Sequence, residues 1–403
     1  MAVLLPLPAS GELATSDGVA MTEKTYEKLA TKLVHAGEPR IDGAVRLPIF
    51  QSAMFELKPD DPRGSRYIRY FNTPNQVALA DKLAALEGGE AAVVTGSGMA
   101  AISGALLALL RAGDHLLSLD SLYGGTHELI TGLMPSFDIS HTLFDGDQPE
   151  SWPQLLRPNT KAVYVETMTN PLLRVPDHEA VIAFCRQHGL VSVIDNTFAS
   201  PVNFRPPDFG YDLSLHSMTK YLNGHSDVVA GAVIGKADLV DRTRQTLKSL
   251  GGTLDPHAAF LVNRGINTLA LRVGQQNESS LKIAQYLENH AKIARVSHPG
   301  LDSHPDRARA EKLFDGLGGM IAFEVTGGMD AAEAFFARLR IPLIAPSLGG
   351  PETVVTRPTT TSHAGLTADE RAALGITDGL IRCSIGLEDA DELIADFEQA
   401  LAA

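Results

Sequence analysis

The chain has 403 residues, a formal net charge of −14, 44% hydrophobic residues and only 20% charged ones. Its length exceeds the usual single-domain range and implies a large domain with a smaller one, and its composition excludes a disordered or fibrous chain. The acidic balance, with no basic stripe carrying interleaved aromatics, argues against nucleic acid as a partner.

In chain order, residues 1–20 read as a loose leader. MAVLLPLPAS has an apolar run but lacks the positive start and long apolar centre of a secretory signal, and Met21 offers an alternative start. No stretch approaches a membrane span. Residues 36–75, rich in Pro, Gly and Arg, read as an extended arm. The expected organisation is a leader and arm over 1–75, an α/β domain over 76–270 and an α+β domain over 271–403. Within the second part, helical patterns alternate with short runs at 91–95, 115–119, 162–166, 191–195, 213–217 and 231–235. Such alternation predicts a mostly parallel sheet covered on both faces by helices. After about residue 270, strand candidates at 320–325 and 381–386 mix with helices. In the last stretch Leu393, Ile394, Phe397 and Leu401 share a helical face, and Asp389 with Glu392 resembles a capping box. Cys185 and Cys383 have no paired spacing and read as structural, which favours a reducing, cytoplasmic setting.

Four segments carry candidate chemistry. Ala91 to Ala101 reads as strand, glycine turn and helix start, whose exposed backbone N–H groups suit a phosphate. Gly96, Gly98 and Ala101 also satisfy a dinucleotide fingerprint, so this motif alone leaves two cofactors open. Tyr123 follows a strand, where its ring suits stacking on a flat cofactor; a core tyrosine is the plain alternative. Asp195 closes the strand Val191–Asp195, where open α/β sheets place ligand chemistry. Beside a pyridine nitrogen it would keep that nitrogen protonated, although a turn aspartate is equally compatible with the local sequence. Ser217-Met218-Thr219-Lys220 sets two hydroxyls before one lysine at a strand end. A lysine that forms an imine needs such a fixed position, and Ser217 and Thr219 suit the phosphate of the same cofactor.

Taken together with Tyr67-Ile68-Arg69, Tyr123-Gly124-Gly125-Thr126, Asp195-Asn196-Thr197, Ser347-Leu348-Gly349-Gly350 and Arg382 to Asp389, these segments resemble the Cys/Met-metabolism (transsulfuration) family of pyridoxal-phosphate enzymes. That family contains cystathionine γ-synthases, cystathionine γ- and β-lyases, methionine γ-lyases and O-acetylhomoserine sulfhydrylases. The resemblance implies the aspartate aminotransferase-like fold (fold type I). It further implies Lys220 as the Schiff-base lysine, Asp195 as the pyridinium partner, and Gly98, Met99, Ser217, Thr219 and Thr197 around the cofactor. Tyr67 and Arg69 would reach the phosphate in a neighbouring subunit, so a homotetramer built as a dimer of dimers is expected. Arg382 and Asn170 would bind the α-carboxylate, and Ser347 would position Lys220. Tyr123 would serve as acid or base near the leaving group. The family's usual Asn-Pro-Thr after the Tyr-x-Arg motif reads Asn72-Thr73-Pro74 here.

The implied activity is γ-elimination, with γ-replacement open, on an L-homoserine- or homocysteine-type amino acid. Relatives handling cystathionine usually carry an acidic residue just before Ser-Leu-Gly-Gly, where this chain has Pro346. They also tend to carry an arginine two positions after the Tyr-Gly-Gly-Thr threonine, where this chain has Glu128. Glu128 therefore suggests a neutral or cationic tail, canavanine-like or methionine-like; a solvated helix residue is the alternative. Methionine γ-lyases commonly carry cysteine where this chain has Gly125.

Overall fold

The computed structural model describes residues 26–57, 64–361, 364–365 and 367–402. The expected leader over 1–20 and the alternative start at Met21 lie outside the described residues. Seven strands, β1 (Ala91–Thr95), β2 (His115–Leu119), β3 (Ser140–Phe144), β4 (Thr160–Glu166), β5 (Val191–Asp195), β6 (Leu213–Ser217) and β7 (Gly231–Gly235), form one sheet in the order β1-β7-β6-β5-β4-β2-β3. Neighbours from β6 to β3 run parallel. Only β7 runs against the rest, pairing antiparallel with both β6 and β1.

The sheet is covered on both faces, which explains why its strands read as nearly continuous apolar runs. Val93 and Val233 face one core, shared with the helix Gly98–Leu109. Val94, Ala232 and Ile234 face another, shared with the helices Pro74–Glu87 and Pro256–Ile266. The arm is tied to this body by its sequence: Asn72 accepts the Tyr67 N–H at 3.0 Å, and Gln76 Oε1 accepts the Thr73 N–H at 3.3 Å. Thr73 thus caps the helix, with Pro74 at its first position, where a missing N–H costs nothing.

A second sheet follows, made of β8 (Ile293–Ser297), β9 (Met320–Val325), β10 (Leu343–Ile344), β11 (Val354–Thr356) and β12 (Leu380–Ser384) in the order β10-β11-β12-β9-β8. The division expected at residue 270 falls in the first turn of the helix Leu269–Glu288. The final helix, Ala390–Leu401, buries Leu393, Phe397 and Leu401 on this sheet. Asp389 caps it by accepting the N–H groups of Asp391 and Glu392 at 2.9 and 3.1 Å; no return bond from Glu392 completes the expected capping box. No helix among the described residues is long and apolar enough to cross a membrane.

Phe397 stands 5.6 Å from Phe335 and 6.2 Å from Phe323, ring centre to ring centre, with no exposure to solvent. Phe397→Ala is expected to cost about 3–5 kcal/mol, read as a lower urea midpoint; an unchanged midpoint would mean that the last helix does not share the core of the second sheet.

Candidate active site

The carboxyl ends of the parallel strands and the central strand of the second sheet, β12, converge on a single cluster of polar groups. Asp195 ends β5, and Thr197 donates to its Oδ1 twice, from the backbone N–H at 2.9 Å and from the hydroxyl at 2.5 Å. The same hydroxyl accepts the Ser217 N–H at 2.8 Å, so one threonine joins the end of β5 to the end of β6. Burial raises the Asp195 carboxyl above its ordinary range, while the Thr197 bonds and the charge of His216 act against that rise. His216 is itself buried against Glu87, Nε2 to Oε1 at 2.5 Å, and Glu87 also accepts from Asn196 and Ser214.

The helix start at Gly98 comes close to β6. A Cβ at position 98 would stand 2.7 Å from the Ser217 Cβ, so only glycine permits the approach. The N–H groups of Gly98 and Met99 occupy the first two helical positions and have no acceptor within the helix. Thr219, two residues on, uses its hydroxyl on its own hairpin, accepting the Ala230 N–H at 3.0 Å and donating to the Ala230 carbonyl at 3.3 Å.

Lys220 sits in the loop that leads from β6 to β7. Its Nζ donates to Ser347 Oγ at 2.6 Å. Burial, and then the charge of Arg382, lower its ammonium from 10.5 to about 8. Ser347 holds a left-handed conformation with φ of 88°. The turn after it is fixed by the Gly349 N–H, which donates to Ser384 Oγ at 2.9 Å. Arg382 lies in the middle of β12, between Thr356 and Ala322, and is only 5% exposed. It donates to Asn170 Oδ1 at 3.3 Å and to the Ser347 carbonyl at 3.0 Å. Its Nε is buried with no hydrogen-bond partner among the described residues, and burial brings its pKa down to about 10. A buried guanidinium with an unspent donor fits a carboxylate ligand.

Tyr123 is 44% exposed, and its ring folds back towards the same helix start. A Cβ at Gly125 would meet Tyr123 Cε1 at 2.7 Å and Met99 Sδ at 3.2 Å. Three expected residues stand apart from the cluster. Tyr67 pairs with Met54, and Arg69 stacks on Tyr67 and Tyr70 and donates to the Lys248 carbonyl at 2.8 Å; neither touches Lys220, Asp195 or Ser217 within the chain. Glu128 is exposed and makes no hydrogen bond or ion pair among the described residues.

Sequence reasoning missed two groups here. Glu166 is buried at the end of β4 and accepts the Tyr123 N–H at 2.7 Å, and Tyr164, two residues earlier, is fully buried beside Asp195 and Thr126. The signal for Glu166 was present, because it ends a parallel strand as Asp195 does. The dinucleotide reading of Gly96 and Gly98 fails on topology: β1 is an edge strand paired to antiparallel β7, whereas that fingerprint belongs to a central parallel strand. A carboxylate, an amine of lowered pKa, a glycine-opened helix start and a buried arginine together fit pyridoxal phosphate and an amino-acid carboxylate.

Comparison with known proteins agrees. Residues 30–402 match the family model described as Cys/Met metabolism PLP-dependent enzyme. The chain is 39% identical to L-methionine gamma-lyase of Fusobacterium nucleatum subsp. polymorphum, over 94% of this chain and 99% of that protein. It is also 39% identical to cystathionine gamma-lyase of Bacillus subtilis, over 93% and 99%. The crystal structure of cystathionine gamma synthase from Xanthomonas oryzae pv. oryzae, in complex with aminoacrylate and cysteine, superposes with a TM-score of 0.91 at 41% identity, covering 94% of this chain and 98% of that one. The chain belongs to the Cys/Met-metabolism family of pyridoxal-phosphate-dependent enzymes, with their type I fold.

Proposed function

We propose that the chain is a γ-lyase that removes a γ-substituent from an L-homoserine- or homocysteine-type amino acid whose tail is neutral or cationic. When bound, pyridoxal phosphate takes up the negative charge that develops at the substrate Cα. The chain's own residues do the rest. Lys220 anchors the cofactor and, as a free amine, takes the Cα proton, aimed by Ser347 Oγ at 2.6 Å. Asp195 holds the proton on the ring nitrogen, with its charge supported by the two Thr197 bonds. Gly98, Met99 and Ser217 receive the phosphate, and Thr219 joins them by turning its hydroxyl proton away from Ala230. Arg382, flanked by Asn170, binds the α-carboxylate. Tyr123 exchanges a proton with the leaving group.

Tyr67 and Arg69, remote from their own chain's lysine, complete the site of a neighbouring subunit in a homotetramer. Two buried free cysteines accord with a reducing, cytoplasmic setting. The observation that carries the reaction is the Lys220, Ser347 and Arg382 cluster: a lysine lowered to about 8, beside a cation suited to the substrate carboxylate. For the tail, the support is Glu128, exposed and without a cationic partner among the described residues. A second reading, a cystathionine γ-synthase or γ-lyase or an O-acetylhomoserine sulfhydrylase, is favoured by the 41% identity to the Xanthomonas synthase.

A panel of cystathionine, methionine, O-acetyl- and O-succinylhomoserine, canavanine and homocysteine separates the two. The lyase reading expects ammonia and keto acid, fastest from neutral or cationic tails; a new amino acid formed from O-acetyl- or O-succinylhomoserine with added cysteine or sulfide, the carboxylic acid leaving, would replace it. Glu128→Arg is expected to move the preference towards carboxylate tails by about tenfold, some 1.4 kcal/mol of transition-state discrimination. An unchanged ranking would remove Glu128 from the account.

Cofactor capture by the cofactor-free protein needs the neutral amine of Lys220. Because its pKa lies near 8 and not at 10.5, the capture rate should rise with pH through about 8 and then level off. Arg382→Gln removes the cation that helps to lower it, so the levelling should move to higher pH. Stopped-flow absorbance reads both effects, and a rate still climbing near pH 10 would refute the lowered amine; borohydride should bleach the yellow holoenzyme and fix the cofactor at Lys220.

A further inference from the structure

Glu166 and Asp195 end adjacent parallel strands and are cross-strand partners. Such partners project from the same face of a sheet, so both carboxyls point into one partly dry space. Two charges there would repel strongly with little water to screen them, and one of the pair must hold a proton. Their surroundings decide which. Asp195 accepts two bonds from Thr197 and feels the charge of His216. Glu166 accepts only the Tyr123 N–H, at 2.7 Å, and no cation acts on it among the described residues. Tyr164, a buried phenol, feels both carboxyls, but its side-chain hydrogen bond is to Asp195. Burial, and then the charge of Asp195, push the Glu166 carboxyl well above its ordinary range.

We propose that Glu166 is a positioning residue that works as a neutral carboxyl: its Oε1 fixes the main chain at Tyr123, and its lack of charge leaves Asp195 as the sole anion for the ring nitrogen. Tyr123 begins the short helix Gly124–Glu128, so this one bond sets where the ring stands over the helix start at Gly98. The inference rests on the assignment of Asp195 to the ring nitrogen.

The test uses Glu166→Gln, Glu166→Leu and Asp195→Asn, each compared with the parent. Glutamine keeps an oxygen for the Tyr123 N–H and is neutral at every pH. Glu166→Gln should bind pyridoxal phosphate within about twofold of the parent and keep the circular-dichroism band of the bound cofactor unchanged from about pH 6 to about pH 9. Glu166→Leu, which offers no acceptor, should lose about half of that band or more while still holding cofactor. Asp195→Asn should weaken cofactor binding by about tenfold or more. A Glu166→Gln protein that loses affinity about tenfold would show that the charge is required and overturn the proposal; this arm decides the matter even if the leucine variant fails to fold. A full band in Glu166→Leu would equally overturn it, by showing that Tyr123 needs no anchor. Full affinity in Asp195→Asn would overturn the underlying ring-nitrogen assignment, a result the glutamine arm cannot mimic.

Discussion

Taking the Asp195 carboxylate out of water carries a desolvation cost of several kcal/mol unless other donors replace the lost waters. Thr197 supplies two of them to one oxygen, from its backbone and from its hydroxyl. Because that hydroxyl also accepts the Ser217 N–H, the geometry that supports the Asp195 carboxyl also sets the end of β6. Two residues after the end of that strand comes Thr219, and then Lys220. Asp195, the end of β6 and the loop that carries Lys220 therefore share one hydrogen-bonded joint, and a disturbance at any of the three is transmitted to the others.

The second sheet contributes the other half of the site through a buried arginine. Arg382 is fixed by its place in β12, where its backbone pairs on both sides, and its guanidinium spends two donors on Asn170 and on the Ser347 carbonyl. Ser347 in turn accepts from Lys220, so the lysine of the first sheet and the arginine of the second meet at a single residue in a left-handed conformation. Such a conformation costs about 1 kcal/mol or more for a residue with a side chain. The turn is held by the Gly349 N–H bond to Ser384 and by Gln276, which donates to the Gly350 carbonyl at 3.0 Å. The proximity of two cations helps to lower the lysine, which is what a proton acceptor requires.

Much of this was legible in the sequence. The strands β1, β2, β5, β6, β7 and β9 fall at the positions their apolar runs predict, because strands buried on both faces leave a largely apolar signature. The strands that sequence missed lie largely at sheet edges or are very short. β3 reads Ser-His-Thr-Leu-Phe, pairs with β2 alone and is half-exposed, and β10 has two residues. The reversed direction of β7 was also hidden, since Gly231–Gly235 is as apolar as any parallel strand. Lys220, Asp195, Arg382, Asn170 and Ser347 were all chosen from sequence, and the fold brings the lysine, serine, arginine and asparagine into one chain of contacts. Glu166 was passed over although it stands at the same strand end as Asp195, because its partner is a backbone N–H that leaves no residue-type signature.

The residues around the site differ in how tightly the fold holds them. Arg382 is 5% exposed and donates in two directions, and Thr197 and Asp195 share two hydrogen bonds, so these positions tolerate little change. Groups that would face a substrate tail sit at the rim. Tyr123 is 44% exposed, Pro346 and Glu128 are exposed, and Glu128 has no partner among the described residues. Replacement at such positions costs little stability, so substrate preference can drift there while the cofactor site stays fixed. Proteins named as lyases and as a synthase match this chain at 39% and 41% identity. Lyases and a synthase thus match this chain about equally well, so overall identity alone does not separate one reaction from the other.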